Sequence, residues 1–98
     1  MEKHQTASIA RSMPNRLWKY RKRMGFTQTQ VAMILGWVSP THLSHYERGR
    51  KFPSLVTALK LSVVYRVPVD FLFHDLYARL QKDLREKEER LRAGWERS

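Results

Sequence analysis

The sequence contains no cysteine and no long uninterrupted hydrophobic run. The absence of cysteine excludes a disulfide framework, a thiolate zinc site and a cysteine nucleophile, and it is compatible with a reducing cytosol. Without an apolar segment of membrane-spanning length, we expect neither an integral membrane protein nor a secreted one. The expected location is therefore cytoplasmic, with no membrane partner that the chain would span.

Acidic residues are also scarce, since nine Asp and Glu stand against 19 Lys and Arg and give a formal net charge of +10. The excess is concentrated in residues 1–51, which contain ten bases and two acids. A basic half of this kind indicates a polyanionic partner, either nucleic acid or an anionic membrane surface. The 98 residues allow one small domain and an appendage, with the composition of a globular protein.

Apolar spacing and turn residues predict five helices and no strand, so the expected fold class is all-α. The first three are expected to be bounded by Ser12 and Gly25, Thr27 and Gly36, and Ser39 and Gly49. In the first, Ser12 acts as the cap and Pro14 lies near the first turn. In the second, Thr27 is the cap and Gln30 completes the capping-box spacing. The third is opened by Ser39 as the cap and Pro40 in the first turn, with Leu43 and Tyr46 facing inward.

The second half of the chain is predicted to add two more helices. Ser54 caps the fourth, whose apolar face is expected to comprise Leu55, Leu59 and Val63, with Ala58 and Leu61 beside them. Val67 and Pro68 end this helix. A fifth helix is expected to start near Val69 and to continue without a breaker to about Ala93.

The stretch from Gly25 to Gly49 is typical of a helix-turn-helix, with two short helices joined by a glycine turn. The outer face of its second helix has small polar side chains. A helix that enters a major groove about 12 Å wide needs short hydrogen-bonding groups there instead of bulk.

These residues resemble the Cro and phage-repressor helix-turn-helix family, also called the xenobiotic-response-element type, over Leu17 to Phe73. The matching elements are Leu17, Tyr20–Arg21, Gly25–Gln28, Val31–Ala32, Leu35–Gly36, Ser39, Leu43–Ser44, Tyr46–Gly49, Pro53–Leu55, Leu59–Leu61, Val67 and Asp70–Leu72. The resemblance implies a compact five-helix, lambda-repressor-like domain that binds operator DNA in transcriptional control.

The resemblance also implies roles for particular residues. The implied DNA contacts are Gln28 on a phosphate, Thr41, Ser44 and His45 at base edges with Pro40 and His42 next to them, and Arg48, Arg50 and Lys51 in a phosphate-binding loop. Arg21 and Glu47 resemble a family pair that ties the first helix to the end of the third.

Three positions depart from the family pattern. The segment from Gly36 to Glu47 is one position longer than usual, so Trp37 resembles an insertion in the turn that shifts or tilts the reading helix. Arg66 stands where a glycine normally ends the fourth helix, at a cost of about 1 kcal/mol if the residue is left-handed. Pro40 takes a position that often carries a polar reader, which puts that one base contact in question.

The sequence contains no arrangement of catalytic residues typical of an enzyme, and no cofactor or metal is implied. The acids of residues 82–92 alternate with bases at i, i+4 spacing, as on a solvated helix surface. The sequence has no glycine-rich phosphate loop and no nucleophile elbow. His42 and His45 could in principle share a metal, but polar groups facing DNA are the favoured interpretation.

We divide the chain into a flexible basic arm (1–12), a DNA-binding domain (13–75) and a C-terminal helical extension (76–98). The extension carries an apolar seam made by Phe73, Tyr77, Leu80, Leu84 and Leu91, with Trp95 just beyond it. Such a seam needs a partner surface, so we expect a homodimer held by this extension. The alternative is an intramolecular lid that folds back on the domain.

The sequence thus predicts a sequence-specific double-stranded DNA-binding regulator, a repressor that reads its operator through the third helix. Within the same class, the alternative is an antitoxin that regulates its own operon, with a partner protein. In a different class, the chain would be a protein-interaction adaptor that uses the helical extension.

Overall fold

The computed structural model describes residues 15–97, and the predicted arm and the predicted helix start at Ser12 to Pro14 lie outside them. Six helices follow along the described chain: α1 (Leu17–Met24), α2 (Gln28–Leu35), α3 (Thr41–Glu47), α4 (Leu55–Tyr65), α5 (Val69–Leu72) and α6 (His74–Arg97). No strand occurs within residues 15–97, which confirms the all-α class.

Helices α1 to α5 each contribute to one core. Its buried members are Leu17, Tyr20, Val31, Leu43, Leu61, Tyr65 and Leu72. Helix α6 adds no buried side chain to this cluster. The described part of the protein is therefore a five-helix domain with a helical extension, as the sequence predicts.

The first helix begins later than expected, at Leu17. The side-chain oxygen of Asn15 accepts a hydrogen bond from the Leu17 backbone N–H at 3.0 Å, and its amide donates to the Tyr46 carbonyl at 2.9 Å. The start of α1 is therefore set by a contact with α3, which the local sequence pattern does not reveal.

The predicted boundaries of α2 are confirmed. Thr27 Oγ1 accepts from the Gln30 backbone N–H at 3.1 Å, and Gln30 Oε1 accepts from the Thr27 backbone N–H at 2.9 Å. This reciprocal capping box pairs two of the backbone N–H groups that the start of a helix leaves without an intrahelical partner. The helix ends at Gly36, whose φ of +80° is accessible to glycine without strain.

The predicted inner face of α4 is only partly correct, since Ala58 and Leu61 are buried as expected. Leu55, Leu59 and Val63 are exposed, whereas the helix buries the face formed by Ala58, Leu61 and Tyr65. Both sets have helical spacing, because α4 is apolar around most of its circumference. Packing against the other helices selects the face, and periodicity alone does not.

The predicted continuous fifth helix is also wrong. The chain leaves helical geometry at Phe73, with φ −124° and ψ 46°, and this side chain packs against the core. Because Phe73 is anchored in the domain, the helix is interrupted there without a proline or a glycine. Helix α6 then starts at His74 and runs past Gly94 to Arg97.

Two polar contacts of Arg16 lie at the start of α6. The Arg16 backbone N–H donates to the Leu72 carbonyl at 2.8 Å, and the Arg16 guanidinium lies 3.7 Å from the Asp75 carboxylate. Beyond Leu76, every side chain of α6 with a described position is exposed. The lid alternative is therefore wrong, since α6 does not fold back on the domain. None of the described helices is long and apolar enough to cross a membrane.

Arg66 ends α4 in the left-handed conformation, with φ 58° and ψ 41°. We expect Arg66→Gly to raise the free energy of unfolding by up to about 1 kcal/mol, because glycine adopts this conformation without strain. Urea denaturation would show a higher midpoint with an unchanged slope. As a control, Lys60→Gly in the exposed interior of α4 should lower stability by about as much. A lower midpoint for Arg66→Gly would contradict the prediction.

Candidate nucleic-acid interface

Helices α2 and α3 meet through a short, well-bonded turn. The Trp37 backbone N–H donates to the Ala32 carbonyl at 2.8 Å, and Ala32 itself is only 1% exposed. Leu43, which is fully buried, anchors α3 from its inner side. The small side chain of Ala32 permits the close approach of the two helices.

An ion pair between Arg21 and Glu47 joins α1 to the end of α3. Arg21 Nε donates to Glu47 Oε2 at 2.6 Å and Nη2 donates to Oε1 at 3.1 Å, while Nη1 donates to the Phe26 carbonyl at 3.0 Å. The two side chains are 8% and 5% exposed. The hydrogen bond to Glu47 raises the pKa of Arg21 against the opposing effect of burial. A buried, bidentate ion pair therefore holds the end of α3 against α1.

Gln28 takes part in the same network. Its side-chain amide donates to Glu47 Oε1 at 2.9 Å, so it links the start of α2 to the ion pair. The resemblance implies a phosphate contact for Gln28, whereas its hydrogen bond to Glu47 is seen only in the structure. The spacing of these residues along the chain carries no signal for this bond.

Tyr65 lies near this network in the core. Burial raises the pKa of its phenol, and the negative charge of Glu47 raises it further against the opposing effect of Arg21. Its hydroxyl finds no hydrogen-bond partner among the described residues. Tyr65 therefore stays protonated and adds no second negative charge beside the Glu47 carboxylate.

The candidate base readers on α3 differ in exposure. Thr41 and His42 are exposed, while Ser44 and His45 are half-buried. The Nδ1 atom of His45 is fully buried without a hydrogen-bond partner among the described residues. The resemblance implies a base contact for His45, and the structure adds that one edge of its ring faces the protein.

The start of α3 is one residue later than predicted. Pro40 occupies the N-cap position and α3 begins at Thr41. The Ser39 hydroxyl lies 3.0 Å from the Thr41 hydroxyl and accepts a long hydrogen bond from the Thr41 backbone N–H at 3.4 Å. Ser39 thus supports the first turn without occupying the cap position itself.

Three aromatic rings pack together at this end of α3. The Trp37 ring meets the rings of His42 and Tyr46 edge-on, with 6.0 Å and 6.3 Å between ring centres. The His42 ring stacks on that of Tyr46, with 6.4 Å between the ring centres. Trp37 therefore packs against the core together with Tyr46. It also restrains the His42 ring, a packing role that the sequence does not indicate.

The basic loop follows directly after α3. Arg48, Arg50 and Lys51 are all exposed. Gly49 has a φ of +72°, and the Arg50 backbone N–H donates to the His45 carbonyl at 2.9 Å. In the part of the chain that the structure describes, none of the three cations forms a salt bridge, so their charge is available to an external anion.

The outer face of α1 carries further exposed cations over aromatic rings. Lys22 Nζ lies 5.8 Å from the centre of the Trp18 ring, and Arg23 lies 5.4 Å from that of Tyr20. Trp18 is 57% exposed, so its indole is covered by a lysine instead of the core. This face is a solvated basic surface beside the helix-turn-helix.

The fold and this arrangement define a helix-turn-helix protein, and the chain belongs to the helix-turn-helix family, whose profile matches residues 19–72. It is also similar to the HTH-type transcriptional regulator ImmR of Bacillus subtilis (strain 168). The two are 39% identical over 61 residues, which is 62% of this chain and 47% of that protein. The chain therefore spans about half the length of this curated relative.

Proposed function

We propose that this protein is a sequence-specific double-stranded DNA-binding transcriptional regulator, a repressor that reads its operator through α3. The observation that carries the proposal is the buried Arg21–Glu47 pair with Gln28, which fixes the end of α3 beside exposed cations. A reading helix must be held rigidly for its side chains to meet base edges. The similarity to a transcriptional regulator supports the same function.

We carry the proposed roles of individual residues over from the family resemblance. Thr41, His42, Ser44 and His45 face base edges, with Pro40 beside them, and Gln28, Arg48, Arg50 and Lys51 contact phosphates. Phosphate contacts position a protein on the duplex, whereas base contacts carry the sequence information. The activity is binding, with no catalytic step and no cofactor, and a regulator of this kind works in the cytoplasm at the chromosome.

A binding titration and a selection test the proposed function. We expect the full chain to bind random duplex DNA with an affinity that falls steeply as salt rises. Selection from a random duplex pool should then enrich one palindromic sequence. Salt-dependent binding without any enriched sequence would contradict a sequence-specific regulator.

Two kinds of substitution should separate the two kinds of contact. Thr41→Ala and Ser44→Ala are each expected to change the preference at one base pair by about 1–3 kcal/mol. Arg50→Ala should weaken binding to all duplexes alike and reduce the salt slope by about one. Affinities measured on single-base operator variants over a salt series would show both effects. If Arg50→Ala changed base preference while the α3 variants did not, this docking would be wrong.

We also propose that the protein is a homodimer joined through α6. Its exposed apolar seam comprises Tyr77, Leu80, Leu84, Leu91 and Trp95, which are 49–63% exposed. At the start of α6, Tyr77 and Leu80 of the seam line an apolar groove of about 560 Å³. Phe52, Leu55 and Phe73 also line this groove. A second copy has the same seam and groove, so a two-fold pair can cover both. It would place two reading helices about 34 Å apart, which is one turn of DNA.

A further inference from the structure

Among the residues that the structure describes, Val38 is the most exposed large hydrophobic side chain, at 105% of the reference value. It lies in the turn between α2 and α3, three positions before Thr41, the first residue of α3. A single exposed valine is unremarkable on most of a protein surface. Val38, however, precedes the N-terminal end of the helix that would enter the groove. Base contacts of a helix-turn-helix are concentrated at that end.

The turn that presents Val38 is fixed on both sides. On one side, Trp37 donates its backbone N–H to the Ala32 carbonyl at 2.8 Å and packs its ring on Tyr46. On the other, the Ser39 hydroxyl contacts the Thr41 hydroxyl at 3.0 Å. Because Trp37 takes the inward position of this turn, the side chain of Val38 is directed into solvent.

The chemistry of Val38 selects one feature of the major groove. Its side chain offers two methyl groups and no donor or acceptor, so it gains nothing from the polar edges of guanine, adenine or cytosine. Thymine alone presents a methyl group there. A contact between the two excludes water from apolar surface on both sides.

We propose that Val38 contacts a thymine 5-methyl group at the edge of the surface read by α3, as a specificity-determining residue. The inference rests on the proposed function, since it requires that α3 enters the major groove. It adds an apolar contact, made by the turn, to the polar contacts made by the helix.

Deoxyuridine provides the test, because it differs from thymidine only by the missing methyl group. In the selected operator, each thymidine of a half-site is replaced singly, and the affinity of the full chain is measured for the wild type, Val38→Ala and Val63→Ala. Val63 is 75% exposed on α4 and is the matched control for the same loss of two methyl groups.

We expect one replacement to weaken the wild type and Val63→Ala about fourfold, as for the loss of one buried methyl group. Val38→Ala should bind the unmodified operator more weakly by a similar factor and lose nothing further at that replacement. If Val38→Ala remained as sensitive as the wild type, another group would read the methyl. If it weakened random duplexes as much as the operator, Val38 would contact the sugar-phosphate backbone. Either result would overturn the inference and leave the proposed function standing, whereas failure to select any operator would overturn both.

Discussion

Arg21→Ala should lower the free energy of unfolding by about 3–5 kcal/mol, the usual loss when one partner of a buried ion pair is removed. The Glu47 carboxylate, 5% exposed, would lose both guanidinium hydrogen bonds and keep only the one from Gln28. The Phe26 carbonyl would lose its donor as well. Urea denaturation monitored by circular dichroism measures the change, provided that the slope of the transition is preserved.

The control for this prediction is an exposed ion pair of the same chemistry. Arg92 and Glu88 are 2.8 Å apart on α6, with side chains 64% and 48% exposed. Arg92→Ala should therefore change stability by less than about 1 kcal/mol. Equal melting temperatures for the wild type and Arg21→Ala would show that the buried pair adds nothing to stability.

A second variant separates the loss of the pair from the burial of an unpaired charge. In Arg21→Met with Glu47→Leu, both charges are replaced by apolar groups of similar size, and much of the stability should return. Operator affinity should not return with it, because the apolar pair lacks the directional contacts that orient α3 and hold Gln28. Recovery of both properties would mean that the pair serves stability alone.

Much of the domain is predictable because local signals and tertiary packing agree there. The capping box of Thr27 and Gln30, the glycine that ends α2 and the cap at Ser54 all occur as the sequence indicates. Each is a local device whose partners lie within four residues. The family resemblance placed these helices in one fold, and the profile match over residues 19–72 confirms it.

The errors lie where the sequence permits several answers and packing selects one. In α4 two apolar faces compete, and the core takes the one with Leu61 and Tyr65. At Phe73 the break has no local cause, since it comes from the anchoring of that side chain in the core. Similarly, α1 starts where Asn15 reaches Tyr46, a residue 31 positions away in the chain.

At the candidate site, the sequence identified the residue types better than their surroundings. The Arg21–Glu47 pair lies where the resemblance placed it. The bond of Gln28 to that pair, the packed edge of His45 and the ring cluster around Trp37 emerge only in three dimensions. The roles of these residues toward DNA remain predictions.

The other large effect is expected in α6. From Tyr77 to Trp95 every side chain of this helix is exposed, although its seam is apolar. An isolated helix of this kind gains little stability by itself, whereas pairing would bury its seam. Leu84 lies in the middle of the seam and is 59% exposed. It is therefore the position where a charge should oppose pairing most strongly.

Leu84→Glu should weaken dimerisation at least about a hundredfold, because each copy would bring a carboxylate into an apolar interface at a cost of several kcal/mol. Ala78→Glu adds the same charge one residue after Tyr77, about 100° around the helix and away from the seam, and should leave the dimer intact. Sedimentation at tens of micromolar distinguishes the two species, and far-ultraviolet circular dichroism checks that the domain stays folded. Operator affinity should fall with the loss of the dimer, since one reading helix then has to bind alone. If the wild type itself sedimented as a monomer, α6 would not be the dimer element.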